Sequence, residues 1–355
     1  MEGLRILSPS EQVAGHLRKE LLRGRWIVTM PGVPSLAAEM GVNRKTVDAA
    51  LKQLDTEGIL VPQGAGRRRA IGVLPEGLTP PPLRLGILLY ELVDKRVDYI
   101  VEILHMLMEA GHAPFFANRT LTDLGMNAKR VAEFTEAAGA DAWIVLAGSV
   151  DVLNWFAEQD FPTFALFGSA SDSHVAGARP NKPPAYRKVV RTLVELGHRR
   201  IVLLARSQRR KPEPGDSEQT FLDALVEEGV QIGEYHLPDW NDSKESFFEC
   251  LDSLFQVTPP TALIVQEAHV FTAAQQFLAG RGLKVPLDVS MVCSDPDPTF
   301  AWCEPSIAHI RWRPQPLVRR IVRWADKVSR GKGDVVQSLA KAEFVNGGTV
   351  GKVRE

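Results

Sequence analysis

The sequence predicts an α/β protein with a small N-terminal winged helix-turn-helix domain and a larger, doubly wound domain of two lobes. Two short helical segments joined by a glycine turn, followed by a glycine-tipped hairpin, lie within the first 72 residues. A proline-rich segment comes next. Beyond it, apolar strands and helices alternate in two successive runs, which is typical of parallel sheets covered on both faces. These three observations predict the fold class.

The head begins with a predicted helix at residues 35–40, a turn at Gly41, and a second helix within residues 42–60. Two helices joined by about four residues that include a glycine are typical of a helix-turn-helix. Asn43 stands where an N-cap is required. The apolar residues that recur at helical spacing and should face a core are Val47, Ala50, Leu51 and Leu54.

The second helix carries basic and polar residues near its N-terminal end, which suits a helix that enters the DNA major groove. The first helix adds one polar residue. We therefore expect the two helices to contact double-stranded DNA. The candidate contact residues on them are Ser35, Asn43, Arg44, Lys45, Thr46, Asp48 and Lys52.

A wing follows the second helix. Residues 59–62 begin an apolar strand, residues 63–66 form a glycine-rich turn, and Arg67, Arg68 and Arg69 lead into a second strand. Arginines in such a hairpin can neutralise phosphates or enter the minor groove. A solvated charge run without a partner is the alternative. Attachment to a helix-turn-helix favours DNA contact.

Residues 9–72 resemble the winged-helix domain of the GntR family. The resemblance lies in GRW at residues 24–26, PG at 31–32, LAAEMGVNRKTVDAAL at 36–51 and EGIL at 57–60. It implies a DNA-binding head. Asp48 stands where the family usually has Arg, and it could accept a hydrogen bond from a cytosine amino group.

The distribution of charge agrees with a DNA-binding head. Residues 1–72 contain 11 Lys/Arg and 7 Asp/Glu, an excess of four positive charges, whereas the rest of the chain contains 31 and 36, an excess of five negative charges. The basic excess therefore lies in the head. The three cysteines are odd in number and lack metal-like spacing, which fits a reduced cytoplasm.

Domain boundaries follow from the proline-rich segment. We expect a head at residues 1–74, an extended linker at 75–82 and an effector-binding domain at 83–355. Lobe 1 should comprise about 83–178 and 311–331, and lobe 2 about 179–310 and 332–355. The chain lacks an apolar signal segment and an 18-residue apolar run, so we expect a soluble, cytoplasmic protein without membrane contact.

The first run after the linker alternates strands and helices. The predicted strands are 84–90, 113–117, 142–147 and 162–167, and the predicted helices are 98–110, 128–138 and 152–159.

A predicted loop at residues 168–184 separates the second run from the first. In the second run, the predicted helices are 185–196, 217–228, 243–255 and 268–279, and the predicted strands are 201–205, 262–265 and 289–293. Two doubly wound lobes suggest a cleft between them, with ligand beyond the carboxyl ends of the strands.

Residues 83–350 resemble the effector-binding domain of the LacI/GalR family, whose fold is that of periplasmic sugar-binding proteins. The strongest match is AYRKVVRTLVELGHRRIVLLA at residues 185–205. GADAWIVLA at 139–147 and GLKVPLDVSMVCSD at 282–295 support it. The resemblance implies a periplasmic-binding-protein-like domain. We expect His198 to support a turn rather than to catalyse a reaction.

The ligand residues are inferred mainly from this resemblance. Asp295 aligns with the family's acidic residue that binds effector hydroxyls, and Trp240 with an aromatic residue that stacks on a sugar. A loop acid and a packing residue are the respective alternatives. Tyr90 and Asp94 follow the first strand, where surface-loop roles are equally open. The remaining candidates, at positions where the sequence departs from the family, are Asn181, Ser217 and Gln266.

An enzyme is not expected. The sequence lacks a G-x-S-x-G motif, a Walker A loop, H-E-x-x-H and paired zinc cysteines, and no cofactor is predicted. We therefore predict a homodimeric transcriptional repressor that binds an operator and responds to a sugar-like effector bound between the two lobes. The alternative is a regulator whose C-terminal domain is chiefly a dimerisation scaffold.

Overall fold

The computed structural model describes residues 7–22, 25–26, 29–64, 68–72, 82–168, 175–211 and 213–354. The chain forms two compact units. Unit 1 comprises Met1–Gly177 and Val318–Gln337, and unit 2 comprises Ala178–Leu317 and Ser338–Glu355. Three expected features lie outside the described residues, wholly or in part: Arg67, the wing tip and nearly all of the linker.

The predicted winged helix-turn-helix fold of the head is confirmed. Its helices pack around the apolar residues of the recognition helix, since Val47, Ala50 and Leu54 are fully buried and Leu51 is nearly so. Leu17 and Leu36 from the other two helices complete this core. The elements of the head are α1 (Pro9–Leu22), α2 (Val33–Met40), α3 (Arg44–Thr56), β1 (Leu60–Val61) and β2 (Ala70–Ile71), with β1 and β2 antiparallel.

Beyond the head, unit 1 contains a parallel sheet in the order β4-β3-β5-β6. All five residues of β5 are buried, as a strand covered on both faces requires. The elements of this part are β3 (Arg84–Leu88), α4 (Asp98–Glu109), β4 (Ala113–Phe116), α5 (Ala128–Ala138), β5 (Ala142–Leu146), α6 (Val150–Ala157) and β6 (Thr163–Leu166), with a 3-10 helix at Leu92–Arg96.

Trp143 on β5 organises the aromatic core of unit 1. Its ring is fully buried and meets Phe115 and Phe134 edge-on. Gly86 on the adjacent strand lies under this ring, because a Cβ atom there would come within 2.5 Å of the indole. The indole of Trp143 therefore fits against the sheet because Gly86 on the adjacent strand has no side chain.

The later helix α12 (Gln315–Ser329) also packs on unit 1. Trp324 is fully buried and contacts Phe164, and Arg320 lies over the same phenylalanine ring. Arg320 donates to both carboxylate oxygens of Asp334, at 2.6 and 3.1 Å. Burial alone would raise the pKa of Asp334, but donors from Lys327, Arg320 and the backbone hold that pKa below its usual range. This ion pair fixes the segment that follows α12.

Unit 2 contains a second sheet in the order β12-β11-β10-β9-β8, parallel except for the antiparallel β11–β12 pair. All four residues of β8, β9 and β10 are buried. The elements are α7 (Pro183–Glu195), β8 (Ile201–Leu204), α8 (Ser207–Arg210), α9 (Asp216–Glu227), α10 (Lys244–Val257), β9 (Ala262–Val265), α11 (Ala268–Gly280), β10 (Ser290–Cys293) and β11 (Ala308–Trp312). Two further strands, β7 (Ala176–Asn181) and β12 (Gln337–Val345), run across the division between the units.

The secondary structure corrects the sequence analysis in one place. Residues 168–184 were expected to form a loop, but β7 (Ala176–Asn181) lies within them. The predicted elements elsewhere in the two runs are present, with ends that differ by at most two residues. The expected lobe limits near residues 178, 311 and 331 remain predictions. Among the described residues, no helix combines the length and the apolarity that a membrane span requires.

His198 anchors the C-terminal segment to the sheet of unit 2. Its Nε2 lies 2.9 Å from the Gly351 carbonyl and 3.0 Å from the Ser290 hydroxyl, and its Nδ1 lies 3.0 Å from the Thr261 hydroxyl. An Nε2–H donor and an Nδ1 acceptor satisfy these partners, so the neutral imidazole fits this site. Burial lowers the pKa of His198 against the opposing effect of the Gly351 carbonyl. This histidine is structural, as expected.

We predict that acid loosens this C-terminal segment. The unfolded chain has the ordinary histidine pKa of 6.5, whereas the folded pKa is lower. The stability that neutral His198 contributes is therefore complete above about pH 6.5 and is lost as the pH falls toward the folded pKa. Hydrogen exchange at the Gly351 and Val353 amides, corrected for intrinsic rates, should be faster at pH 5.5 than at 7.5. His198→Gln should remove this difference. Equal protection of the wild type at both pH values would contradict the prediction.

Candidate functional sites

The N-terminal end of α3 presents the basic side chains of the head. Arg44 and Lys45 are exposed, and Thr46 is partly exposed beside them. Asn43 caps the helix by accepting a hydrogen bond from the Lys45 amide at 2.9 Å. The cap fixes where α3 begins and therefore where these three side chains emerge. Ser35 is exposed on α2.

Asp48 is compensated within the head. Its carboxylate lies 2.9 Å from the Lys52 ammonium, one turn along α3, and 3.7 Å from the Arg69 guanidinium. The hydrogen bond from Lys52, with a further contribution from Arg69, holds the pKa of Asp48 below its usual range. The repulsion that an acidic residue would exert on DNA is thus reduced. Lys52 is correspondingly less available to a phosphate.

Arg69 makes a contact within the head that the sequence did not predict. Its Nε donates to both oxygens of Asp55 on α3, at 2.9 and 3.0 Å, and its side chain is only 20% exposed. It joins the wing to the recognition helix and is therefore a positioning residue. Arg68 is exposed. Of the wing arginines that the structure describes, Arg68 is therefore the one whose exposed side chain could contact a phosphate.

A second ion pair joins α1 to the end of α3. Arg18 donates to both carboxylate oxygens of Glu57, at 2.6 and 3.0 Å. The sequence analysis did not identify this pair, because its members lie 39 residues apart and each belongs to an ordinary helical surface pattern.

In unit 2, polar side chains gather at the carboxyl ends of the parallel strands. Asp295 follows β10 and accepts a hydrogen bond from the Lys182 ammonium at 2.6 Å. The Trp312 indole N–H donates to the same oxygen at 3.3 Å. The side chain of Asp295 is 31% exposed and that of Lys182 is 15% exposed. The carboxylate thus has one oxygen engaged by two donors from the protein.

A buried polar group lies beside this carboxylate. Gln266 follows β9 and donates from its amide nitrogen to Glu218 on α9. Glu218 is 1% exposed, and one of its carboxylate oxygens has no hydrogen-bond partner among the described residues. The hydroxyl of fully buried Tyr186 lies near the side chains of Ser294 and Gln266. Burial, reinforced by the negative charge of Glu218, raises the pKa of Tyr186. Ser294 donates to the Gln266 carbonyl at 3.2 Å.

Arg206 adds a charged pair at the end of β8. It contacts both oxygens of Glu267, at 2.8 and 2.7 Å. Its backbone amide donates to the Gln266 side chain at 3.3 Å. Asn181 and Ser217 are partly exposed in the same unit. Residues 206, 266, 267 and 295 all follow strand ends, so the topology brings two sequence candidates, Gln266 and Asp295, to one edge.

Trp240 lies in the core of unit 2 rather than at this polar edge. It is 7% exposed and its ring packs against Phe247, with centroids 5.1 Å apart. This placement supports the packing alternative over stacking on a sugar. Its burial depends on a partner on α10, which the polar local sequence of residues 238–243 did not indicate.

Tyr90 and Asp94 lie in unit 1 after β3. Asp94 accepts a hydrogen bond from the Glu91 amide at 2.9 Å and so caps the 3-10 helix that begins at Leu92. Tyr90 is partly exposed, and its carbonyl accepts from the Thr122 amide at 3.0 Å. The structure therefore gives Asp94 a local structural role.

We predict that the two described wing arginines differ in their effect on stability. Arg69→Ala leaves the partly buried Asp55 without its donor and should destabilise the head by about 1–3 kcal/mol. Arg68→Ala should change stability by less than about 0.5 kcal/mol, because it removes an exposed side chain. Hydrogen exchange of the α3 amides in the full chain measures both effects. Equal effects of the two substitutions would show that the Arg69–Asp55 contact does not hold the wing.

Two family models match the chain. The model for bacterial regulatory proteins of the gntR family matches residues 9–67, and the model for the periplasmic binding protein-like domain matches residues 190–350.

A curated relative and two solved structures are similar to the chain. A probable HTH-type transcriptional repressor ExuR of Bacillus subtilis is 23% identical over 163 residues, which cover 43% of this chain and 47% of that protein. The chain thus matches about half the length of this relative. A LacI family regulator from Enterococcus faecium with bound ribose has a TM-score of 0.62 at 16% identity and covers 76% of this chain and 100% of that chain. The lac repressor dimer bound to operator and the anti-inducer ONPF has a TM-score of 0.63 at 19% identity, with coverages of 76% and 94%.

At these identities, the structural likeness concerns the fold. The matched families are regulatory and binding families rather than enzyme families. The chain therefore joins an N-terminal segment that matches the gntR family of bacterial regulatory proteins to a C-terminal segment that matches the periplasmic binding protein-like domain.

Proposed function

We propose that the protein is a DNA-binding transcriptional repressor that acts as a homodimer on an operator in the cytoplasm. The observation that carries this proposal is the exposed basic N-terminal end of α3, where Arg44 and Lys45 flank Thr46 on a capped helix. The repressor role draws on the ExuR relative, and the dimer on the lac repressor structure.

In this proposal, α3 enters the major groove with its N-terminal residues toward the bases. Arg44 can donate two hydrogen bonds to a guanine, and Thr46 can reach a base edge or a thymine methyl group. Arg68 supplies a phosphate contact from the wing. A dimer would place two recognition helices on half-sites about one helical turn apart.

We predict distinct effects of head substitutions on DNA binding. Arg68→Ala should weaken binding to all sequences alike and should reduce the steepness of log K against log salt by about 0.9, because one phosphate contact is lost. Arg44→Ala should cost about 1–3 kcal/mol at one base pair and relax the preference there. Fluorescence anisotropy with an operator selected from random duplexes, across a salt series, measures both.

Lys352→Ala is the control for these measurements, because Lys352 is an exposed basic residue of unit 2. A uniform loss of affinity for Arg44→Ala across all duplexes would argue against base recognition by α3. Absence of sequence-preferring DNA binding in the wild type would contradict the proposed function itself.

The proposal has a second part: a small polyhydroxylated effector binds at the carboxyl edge of the unit 2 sheet. Supporting it is the unpartnered oxygen of Glu218, since a buried polar atom without a hydrogen bond is costly and the hydroxyl of a sugar could supply one. Asp295 can accept from hydroxyls through the oxygen that Lys182 does not engage. The solved structure of the similar Enterococcus faecium regulator contains bound ribose, which also supports this part of the proposal.

One observation favours the alternative, in which the C-terminal domain serves chiefly as a dimerisation scaffold. Asp295 already has the Lys182 ammonium at 2.6 Å, and Glu267 has the Arg206 guanidinium. A carboxylate with an internal counter-ion needs no ligand for its stability. An effector must therefore share or displace these partners.

We predict that a thermal-shift screen against sugars, sugar acids, polyols and nucleosides will identify a stabilising ligand. A ligand at a hundred times its Kd stabilises the folded state by about 2.7 kcal/mol. Asp295→Asn should abolish the shift, because a neutral amide cannot replace the carboxylate as a double acceptor. Asp223→Asn on α9, where Asp223 accepts from Gln219 on its own helix, is the matched control.

The outcomes of this screen separate the two candidates. A shift that Asp295→Asn removes and Asp223→Asn preserves supports an effector at the strand edge. A panel without a stabilising ligand, together with intact operator binding, supports the scaffold alternative. A thermal shift that persists in the Asp295→Asn variant would indicate that the ligand binds away from this edge.

A further inference from the structure

The outer face of α12 carries a stripe of arginines. Leu317, Ile321 and Trp324 on the inner face are buried in unit 1. Arg319 and Arg323 are exposed on the opposite side, and Arg330 continues their line just after the helix, where its amide still bonds to the Lys327 carbonyl. At 100° per residue, positions 319, 323 and 330 lie within about 40° of one another. We call these three residues the arginine stripe.

The charges of the arginine stripe are not neutralised within the described part of the chain. None of the three arginines is within ion-pair distance of a described carboxylate, whereas the adjacent Arg320 and Lys327 both pair with Asp334. The nearest acidic residue along the helix, Asp326, faces His112 at 3.4 Å. Like charges four residues apart repel one another in a helix. This arrangement suits an anionic partner.

Apolar surface adjoins the arginine stripe. Val335 and Val336 are 60% and 59% exposed, although valine is usually buried. Arg320 holds this segment against α12 by donating to the Val336 carbonyl at 2.8 Å. The valines are therefore held close to α12, the helix that carries the arginine stripe.

A cavity of about 620 Å³ lies beside these valines in unit 1. Val328 of α12, Val335, Phe156 and Phe161 contribute apolar walls. Asp141 and Asp160 also line the cavity, as do Lys332 and Arg25 of the head. Acidic residues on its wall oppose the entry of a carboxylate, so the side chain that suits the cavity is apolar.

The combination of the arginine stripe, exposed valines and an apolar cavity favours a protein partner over DNA. Interfaces with DNA are polar and strongly basic, and exposed valines beside an aromatic-walled cavity contribute little to them. Protein interfaces combine an apolar anchor that fills a pocket with charged contacts at the rim, and arginine is enriched in them. Guanidinium groups also match carboxylates in a two-point geometry.

We propose that the arginine stripe, Val335, Val336 and the adjoining cavity form a docking surface for an acidic segment of a second protein. The carboxylates of that segment pair with the stripe, and one apolar side chain of the segment enters the cavity. This surface lies on unit 1 and uses neither α3 nor the strand edge of unit 2. It would bring the regulator under the control of a protein in addition to a small molecule.

Synthetic peptides test the proposal with the full chain. The first probe is a fluorescein-labelled peptide of six glutamates around a central leucine, the second has serine in place of leucine, and the third has lysines in place of the glutamates. In anisotropy titrations at low salt, the first peptide should bind at least about tenfold more tightly than the second, because its leucine is buried. The third should bind more weakly than both.

Charge reversal provides the second arm of the test. The triple variant Arg319→Glu, Arg323→Glu, Arg330→Glu should weaken binding of the first peptide at least tenfold and should now prefer the lysine peptide. Such a gain cannot arise from misfolding. The control variant reverses three exposed lysines elsewhere, Lys129→Glu, Lys188→Glu and Lys352→Glu, with the same change in net charge. It should leave the affinity and the preference unchanged.

Three results would overturn the proposal. The first is that the glutamate–leucine peptide does not bind the wild type, and the second is that the stripe variant and the lysine variant lose affinity equally. The third is that a duplex without operator sequence displaces the peptide, while the stripe variant shows a shallower salt dependence of duplex binding. That last result would assign the stripe to DNA.

Discussion

The burial of short apolar strands between two layers of helices is the constraint on which the rest of the larger domain depends. Every residue of β5, β8, β9 and β10 is buried, so each strand must be covered on both faces. Parallel strands joined by helices meet that requirement, and they send all their carboxyl ends to one edge. Gln266 and Asp295, 29 residues apart in the chain, meet there for this reason. The location of the polar edge is thus a consequence of packing.

Charge compensation inside the protein recurs at both candidate sites. Asp48 has Lys52 and Arg69, Asp295 has Lys182, and Glu267 has Arg206. Such pairs keep the side chains oriented before any partner arrives. A partner that displaces such a contact must therefore contribute more interaction free energy than the internal contact did. Arg44 and Arg68 in the head form no ion pair with the described residues, so each can meet a phosphate without that cost.

The sequence predicted those parts of the fold that depend on local periodicity. Val47 and Leu51 repeat at helical spacing and are buried, and the apolar strand at residues 142–146 is unmistakable. The strand β7 was not predicted, because Gly177, Pro180 and Asn181 are residue types that are disfavoured in strands. Its conformation comes from the sheet around it.

The candidate sites were less predictable, because pairing across the chain decides the role of each side chain. The pattern of three successive arginines cannot reveal that Arg69 meets Asp55, 14 residues earlier, while Arg68 does not. The polar surroundings of Trp240 in the sequence conceal its packing on Phe247. The positions of Asp295 and Gln266 at strand ends could be inferred, but the Lys182 and Glu218 contacts could not, since both partners come from other elements.

The Arg69–Asp55 contact has a consequence for how such a head can change its target. It joins the wing to α3 through a guanidinium that is already engaged by a carboxylate. Substitutions at positions 44 and 46 can then alter base preference while the backbone that aims the wing at the phosphates stays in place. In the proposed function, base recognition and the placement of the wing are carried by different residues, so the operator preference can change while the contacts to the DNA backbone are kept.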